Sequence, residues 1–349
     1  MAKTAVNVTL KDVAAKAGVS TATVSHVLNN TRFVSDELRA TVLRAVEATG
    51  YYRNDLARGL RRGKTGIIGL MIPDNSNPFF AEMARIVENR GFASGYSVIL
   101  CNSAGDPTRE SAYISALISK QIDGLIFIAA HSKGPHLMAL RQRNIPLVIV
   151  DRDLQLSFAD TILVNNETGG YLATKYLIDL GHRKIACISG PSDVTPSADR
   201  VKGYYRALQE AGIEIRDSYL TSGGFQYQGG QAAMAKLLAS GDNLSAVFAC
   251  NDLMALGALS QARLASVRVP EDISIMGFDD IQYASIVTPA LSTIAQPVDE
   301  VAASAVDMLV ERIQNKVRDT EARCIVFGTR LIIRDSCSPL PRQGAGKTQ

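Results

Sequence analysis

Polar and aromatic side chains follow the short apolar runs that fill most of the chain after residue 66. They stand where strands are predicted to end, at residues 77–80 (NPFF), 151–152 (DR), 166 (N), 251–252 (ND) and 279–280 (DD). Ligands of parallel α/β sheets bind at the carboxyl ends of strands, so these residues are candidates for one site. Asp, Arg and Asn interleaved with Phe describe a polyol or sugar pocket more simply than acid/base catalysis.

Each of these positions also has a structural interpretation. Asn77 and Pro78 suit the cap and first turn of a helix, and Asp151 suits an ordinary turn. Enzyme motifs do not occur in the sequence, which has no GxGxxG, GxxxxGK[ST], GxSxG or HExxH. We therefore expect a binding protein that is not an enzyme, with no metal site and no cofactor.

Apolar runs alternate with amphipathic stretches, which predicts α/β structure with parallel sheets. A first set of runs covers residues 66–72, 96–101, 123–130 and 146–150. After a helix-like stretch to about residue 181, the pattern restarts at residues 184–189, 245–250 and 272–278. Two sets predict a core of two doubly wound parallel-sheet subdomains.

The composition is that of an ordinary globular protein. Of 349 residues, 46% are hydrophobic and 20% are charged, and no run approaches the ~18 apolar residues of a membrane span. The first residues lack the apolar core of a signal peptide, and the five cysteines form no CxxC pair. We expect a soluble cytoplasmic protein with buried thiols and no membrane partner.

Positive charge is concentrated at the start of the chain. Residues 1–65 hold eleven Lys/Arg and five Asp/Glu, whereas the remaining residues hold 26 and 29. A basic head on a slightly acidic body predicts that the head binds a polyanion. Charge alone leaves both nucleic acid and an anionic membrane open.

The head is predicted to form three short helices. Thr9 and Asp12 resemble a capping box, Ser20 suits the N-cap of a second helix over residues 21–28, and a third helix follows Ser35. Two helices joined by a short turn with Gly18 make a helix-turn-helix, and its second helix fits a DNA major groove. A generic three-helix bundle with an incidental polar face is the alternative.

Residues 51–65 (YYRNDLARGLRRGKT) are basic and marginally helical. Leu56 and Leu60 share one face, but Gly59 costs roughly 1 kcal/mol relative to Ala and four cations repel one another. Such a helix would gain order where phosphates neutralise the arginines and Leu60 wedges between base steps. A basic interdomain linker is the alternative.

The segment TLKDVAAKAGVSTATVSHVLNNTRFVS (9–35) resembles the DNA-binding headpiece of the lactose/galactose-repressor (LacI/GalR) family of bacterial transcriptional regulators. The resemblance continues to about residue 336 and is closest to the ribose and purine repressors. It implies a homodimer on a near-palindromic double-stranded DNA operator. It also implies base contacts from Thr21, Ala22 and His26 with Arg32 nearby, and Leu60 as the minor-groove wedge of a hinge helix. We expect Arg61 to contact phosphate. Relatives carry Ser where this chain has Gly59.

The resemblance implies a core similar to periplasmic ribose-binding proteins. The residues that match their ligand positions are Asn77, Phe79, Phe80, Asp151, Arg152, Arg200, Phe225, Asn251, Asp279 and Gln296. Phe faces would stack on a sugar ring while the polar groups satisfy its hydroxyls. Arg152 argues against a purine ligand, because the purine repressor carries Trp at that place.

These inferences predict four segments. They are a helix-turn-helix headpiece (1–53), a hinge helix or linker (54–65), a ligand-binding and dimerisation core (66–339), and a flexible tail (340–349). Residues 66–165 and 293–325 would form one core subdomain, and residues 166–292 and 326–339 the other. We expect a repressor controlled by a small sugar effector, ribose or another pentose, which the resemblance favours as an inducer. Another sugar, a phosphosugar or a nucleobase is an alternative effector. A sugar-binding module without regulatory DNA binding is an alternative of another class.

Overall fold

A computed structural model describes residues 8–51, 64–128, 135–315 and 321–340. The chain forms two compact units, one up to Thr65 and one from Gly66 onward. The predicted hinge residues Leu60 and Arg61, with Gly59, lie outside the described residues, and so does the tail after Leu340.

The described residues of the N-terminal unit form three helices close to the predicted bounds, with the second one residue longer than expected. Ser20 caps the second helix by accepting a hydrogen bond from the Thr23 amide at 3.0 Å, and Asp12 accepts from the Thr9 amide at 2.8 Å. Gly18 and Gly50 end the first and third helices with φ of 66° and 63°, a region that glycine adopts without strain. The bounds are α1 (Leu10–Ala17), α2 (Thr21–Asn29) and α3 (Asp36–Thr49).

One side of each head helix is apolar and meets the other two. Val13, Val24 and Val42 are fully buried at the centre, one from each helix. This small core holds α2 against α1 and α3 with its first turn facing solvent.

The second unit contains two separate parallel sheets, as predicted. The first has six parallel strands in the order β11-β5-β4-β3-β1-β2. Its strands are β1 (Ile67–Ile72), β2 (Ser97–Asn102), β3 (Gly124–Ile128), β4 (Leu147–Val150), β5 (Asp160–Val164) and β11 (Cys324–Phe327).

Both faces of the first sheet are covered. Ile68 and Leu70 face one apolar cluster, while Met71 faces another on the opposite side. A strand buried on both faces needs apolar residues at every position, which explains why β1 reads as a continuous run.

The second sheet has four parallel strands in the order β7-β6-β8-β9, and a third, two-stranded sheet is antiparallel. The strands of the second sheet are β6 (Ile185–Ser189), β7 (Leu220–Ser222), β8 (Ala246–Ala249) and β9 (Ser274–Met276). The strands of the third are β10 (Thr293–Ala295) and β12 (Arg330–Ile332).

Helices connect the strands of the core. The α-helices are α4 (Pro78–Ala93), α5 (Pro107–Ser119), α6 (Met138–Gln142), α7 (Asn166–Asp179), α8 (Thr195–Glu210), α9 (Tyr227–Ala239), α10 (Asp252–Leu264) and α11 (Val298–Asn315). Single 3₁₀ turns cover Pro135–Leu137, Asp217–Tyr219 and Gln282–Ser285. None of the described helices combines the length and the apolar character that a membrane span requires.

The structure differs from the sequence-based expectation in several places, and one of the thiols expected to be buried, Cys324, is exposed. Strand β5 occupies part of the stretch expected to be helical, with Asp160 at its start held by Arg312 and Arg323. The subdomain boundaries also fall later than residues 293 and 326. Ile294 of β10 packs in the core of the second subdomain, whereas β11 pairs with β5 as far as Phe327.

Candidate functional site

A cavity of about 440 Å³ lies between the carboxyl ends of the two parallel sheets. Strands β1 and β4 point into it from one subdomain, and β7, β8 and β9 point into it from the other. The structure places all ten predicted ligand residues in its lining, namely Asn77, Phe79, Phe80, Asp151, Arg152, Arg200, Phe225, Asn251, Asp279 and Gln296.

The segment after β1 supplies an aromatic wall. Asn77 is the N-cap of α4, and its Oδ1 accepts a hydrogen bond from the Phe79 amide at 3.0 Å. This cap fixes the start of the helix, so that Phe79 and Phe80 meet edge to face with centroids 5.3 Å apart. Asn77 is therefore both the helix cap and a residue of the cavity lining.

Asp151 and Arg152 follow β4 and are both buried. The Arg152 Nε lies 3.9 Å from the Asp151 Oδ2. Burial raises the pKa of Asp151, while Arg152 and Arg200 oppose that rise. Asp151 has a φ of 70°, a conformation that L-residues rarely adopt, and such strain is concentrated at functional sites.

Arg200 enters the cavity from α8 of the second subdomain and is only 4% exposed. Its Nε donates to the Asn166 Oδ1 at 2.8 Å, and one terminal nitrogen donates to the Cys250 carbonyl at 2.5 Å and the Asp279 Oδ1 at 3.4 Å. Its guanidinium also stacks 3.7 Å from the centre of the Phe278 ring. Four contacts fix the direction in which this cation points.

Asp279 lies beside Arg200 and follows β9 with a φ of 114°. The Gln296 Nε2 donates to its Oδ1 at 2.8 Å. Burial raises the pKa of Asp279 to about 6, against the lowering influence of Arg200 and this hydrogen bond. The Gln296 Oε1 is buried and accepts no hydrogen bond within the described part of the chain, which leaves an acceptor for a ligand hydroxyl.

Asn251 and Phe225 complete the second side. Asn251 caps α10 through the Met254 amide at 2.9 Å, and its Nδ2 donates to the Phe225 carbonyl at 3.1 Å. That bond ties the loop after β7 to the end of β8. Phe225 has a φ of 62°, so three of the ten predicted ligand residues adopt the left-handed region.

Further lining residues were not singled out for the site from the sequence. They include Asp74 in the loop before α4 and Gln226 in the loop before α9. Asn166 stood among the strand-end candidates, but its role as the partner of Arg200 depends on a residue 34 positions away. Asp74 and Gln226 lie in polar loops, where the sequence offers no periodic signal.

The arrangement suits an uncharged, hydroxyl-rich ring. Aromatic faces from both subdomains supply apolar contact, and fixed carboxylates and guanidiniums supply directed hydrogen bonds. Across the described ranges, no group of three or more His, Cys, Asp and Glu is placed to hold a metal ion.

The predicted DNA-reading residues lie on the N-terminal unit. Thr21 and Ala22 are exposed in the first turn of α2, and Arg32 is exposed in the turn after it. His26 is half-buried, and its Nδ1 lies 2.9 Å from the Thr31 hydroxyl. That contact orients the ring.

Two family models match the chain. Residues 9–54 match "Bacterial regulatory proteins, lacI family", and residues 65–334 match "Periplasmic binding proteins and sugar binding domain of LacI family". The two matches divide the chain where the structure separates its two compact units.

Curated relatives and solved structures agree with these matches. The ribose operon repressor of Escherichia coli (strain K12) is 43% identical over 87% of this chain and 93% of its own length. The repressor PurR of Pectobacterium carotovorum is 41% identical over 95% of this chain and 98% of its own. A lac repressor dimer bound to operator and the anti-inducer ONPF is 26% identical with a TM-score of 0.83, covering 95% of this chain and 99% of that one. The chain therefore belongs to the lacI family of bacterial regulatory proteins, DNA-binding transcriptional repressors with a sugar-binding core that are not enzymes.

Proposed function

We propose that this chain is a homodimeric repressor that a pentose, with ribose as the leading candidate, releases from its operator. The observation that carries the proposal is the cavity between the two core sheets, which gathers two buried Asp–Arg pairs and phenylalanine rings. The 43% identity to a ribose operon repressor supports ribose over other sugars.

The sugar would be held from both subdomains at once. Phe79, Phe80 and Phe225 would stack against its apolar ring face. The ring hydroxyls would donate to Asp151 and Asp279 and accept from Arg152 and Arg200, with Gln296 bonding a further hydroxyl. Asn77 and Asn251 would hold the aromatic wall and the loop after β7 in place while lining the ligand.

A purine effector is the alternative that the PurR relative raises. A purine is best held between flat apolar surfaces, whereas Arg152 places a guanidinium that is 4% exposed in the cavity wall. Arg152 also faces the Asp151 carboxylate at 3.9 Å, and this neighbouring donor and acceptor match the hydroxyls of a polyol.

Sugar binding would couple to DNA through closure of the core. A ligand that touches both subdomains stabilises their closed arrangement, and a dimer transmits this change to its paired headpieces. We propose residues 54–65 as the hinge, with Leu60 as the minor-groove wedge and Arg61 on phosphate. The expected coupling is ~1–3 kcal/mol, or about 5–150-fold in operator affinity.

Recognition of the operator would depend on the first two turns of α2. Thr21, Ala22 and His26 would face base edges in the major groove, with Arg32 close to the phosphates. A near-palindromic operator fits a two-fold symmetric dimer, and the solved lac repressor neighbour is a dimer bound to operator. Such a regulator acts in the cytoplasm.

A thermal-shift panel tests the effector. Purified protein is heated with ribose, other pentoses, hexoses, their phosphates and purines. A ligand at 100 times its Kd should stabilise the native state by ~2.7 kcal/mol. We expect a shift with ribose that Arg152→Ala abolishes and Arg85→Ala keeps, because Arg85 is an exposed residue paired with Glu82. A shift with a purine or phosphosugar instead of ribose would overturn the assignment.

A further inference from the structure

One polar contact crosses the cleft between the two core subdomains near solvent. The Gln226 Nε2 donates to the Asp74 Oδ2 at 3.3 Å. Asp74 is half-buried in the loop after β1, Gln226 is exposed in the loop after β7, and both line the cavity. The Asp–Arg pairs of the cavity are more than 90% buried, so Asp74 and Gln226 form its rim.

Asp74 differs from the other acids of the cavity in its electrostatic partners. Asp151 lies 3.9 Å from Arg152, and Asp279 lies 3.4 Å from Arg200. Asp74 has no ion pair with Lys or Arg among the residues that the structure describes. Its Oδ1 instead accepts from the Ser76 amide at 2.9 Å and the Ser76 hydroxyl at 2.6 Å.

The rim therefore carries a negative charge that pairs with no Lys or Arg of the described ranges. A phosphorylated sugar would bring up to two further negative charges to a cleft whose arginines already face carboxylates. Two like charges within about 10 Å of each other, at an effective dielectric constant of about 20, repel strongly enough to weaken binding about tenfold or more. An uncharged sugar meets no such penalty.

We propose that Asp74, held across the cleft by Gln226, is a specificity residue that excludes phosphorylated sugars and admits the free monosaccharide. This inference rests on the proposed function, because it assumes that a sugar occupies the cavity. The bond across the cleft would also close the rim over a bound ligand. Gln226 would thereby fix the position of the Asp74 carboxylate.

Isothermal titration calorimetry of the full chain with ribose and with ribose 5-phosphate tests the proposal. Asp74→Asn removes the charge and keeps the shape, and the Gln226 amide can turn to accept from the new side chain. The Kd for ribose 5-phosphate divided by the Kd for ribose should fall about tenfold or more in this variant. Its ribose affinity should stay within about threefold of the wild type. Asp307→Asn, at an exposed residue outside the cavity lining, should leave the ratio unchanged.

A second variant tests the position of Gln226. Gln226→Glu would set two carboxylates against each other across the cleft, so ribose should bind several-fold more weakly, and less so at high salt. If Asp74→Asn leaves the ratio unchanged while ribose binds the wild type, the rim proposal is wrong and the sugar assignment stands. If the wild type binds no free sugar or prefers the phosphorylated one, both fail.

Discussion

Acidification should weaken sugar binding through Asp279. This buried carboxylate accepts from Gln296 and faces Arg200, and burial raises its pKa to about 6 with Asp151 nearby adding to the rise. A sugar hydroxyl that donates to Asp279 is held more strongly by the carboxylate than by the neutral acid, which keeps only a weaker acceptor. Affinity should therefore be full above pH 7 and fall as pH drops through 6.

The magnitude follows from that pKa. With a value of about 6, roughly nine-tenths of Asp279 is ionised at pH 7 and about one-tenth at pH 5. If only the ionised form binds, Kd should rise about tenfold over this interval, or ~1.4 kcal/mol. Burial also raises the pKa of Asp151, so its protonation acts in the same direction and steepens the fall.

Calorimetric titration with ribose at half-unit steps from pH 5 to 8 measures the effect, with circular dichroism showing that the protein stays folded. Asp279→Asn should bind about tenfold or more weakly at pH 7, because it loses a charged acceptor, and its pH profile should be much flatter. Asp280→Asn is the matched control, since Asp280 pairs with Arg334 outside the cavity lining. A wild-type Kd that is constant from pH 5 to 8 would refute the reasoning.

Three further predictions concern the head and the core scaffold. His26→Ala should reduce operator preference over a single-base variant by ~1–3 kcal/mol in fluorescence anisotropy, and an unchanged preference would remove its base-reading role. Gly170→Ala should lower Tm and weaken ribose binding, because its Cβ would lie 2.1 Å from the Arg200 carbonyl oxygen; a wild-type Tm would contradict this packing. Asp160→Asn should destabilise the protein in urea unfolding, by less than the ~3–5 kcal/mol of a fully buried pair because its partner Arg323 is 39% exposed. An unchanged midpoint would mean that the two arginines find other partners.

Local signals were enough to place the head helices and most core strands. Ser20 and Gly18 bond backbone groups only a few residues away, so the helix ends can be predicted from neighbouring residues. Strands such as β1 are buried on both faces and need apolar residues at nearly every position, so they give continuous apolar runs. All seven predicted runs contain a strand.

Non-local contacts account for what the sequence did not reveal. Strand β5 begins with Asp160, a charged residue that is tolerated in a buried strand because Arg312 and Arg323 reach it from about 150 residues later. Strand β7 has only three residues, too few for a periodic pattern. The sequence therefore did not predict that the loop with Phe225 and Gln226 follows a strand. Arg200 lies on a helix, and only the family resemblance brought it into the predicted site.

Operator binding with and without ribose tests whether the sugar releases this repressor from DNA. An operator is first selected from a pool of random DNA with the full chain, and its Kd is then measured by fluorescence anisotropy at fixed salt. Saturating ribose should weaken operator binding by about 5–150-fold, and Arg152→Ala should no longer respond. An operator Kd that stays the same while calorimetry shows ribose bound in the core would contradict the proposed induction.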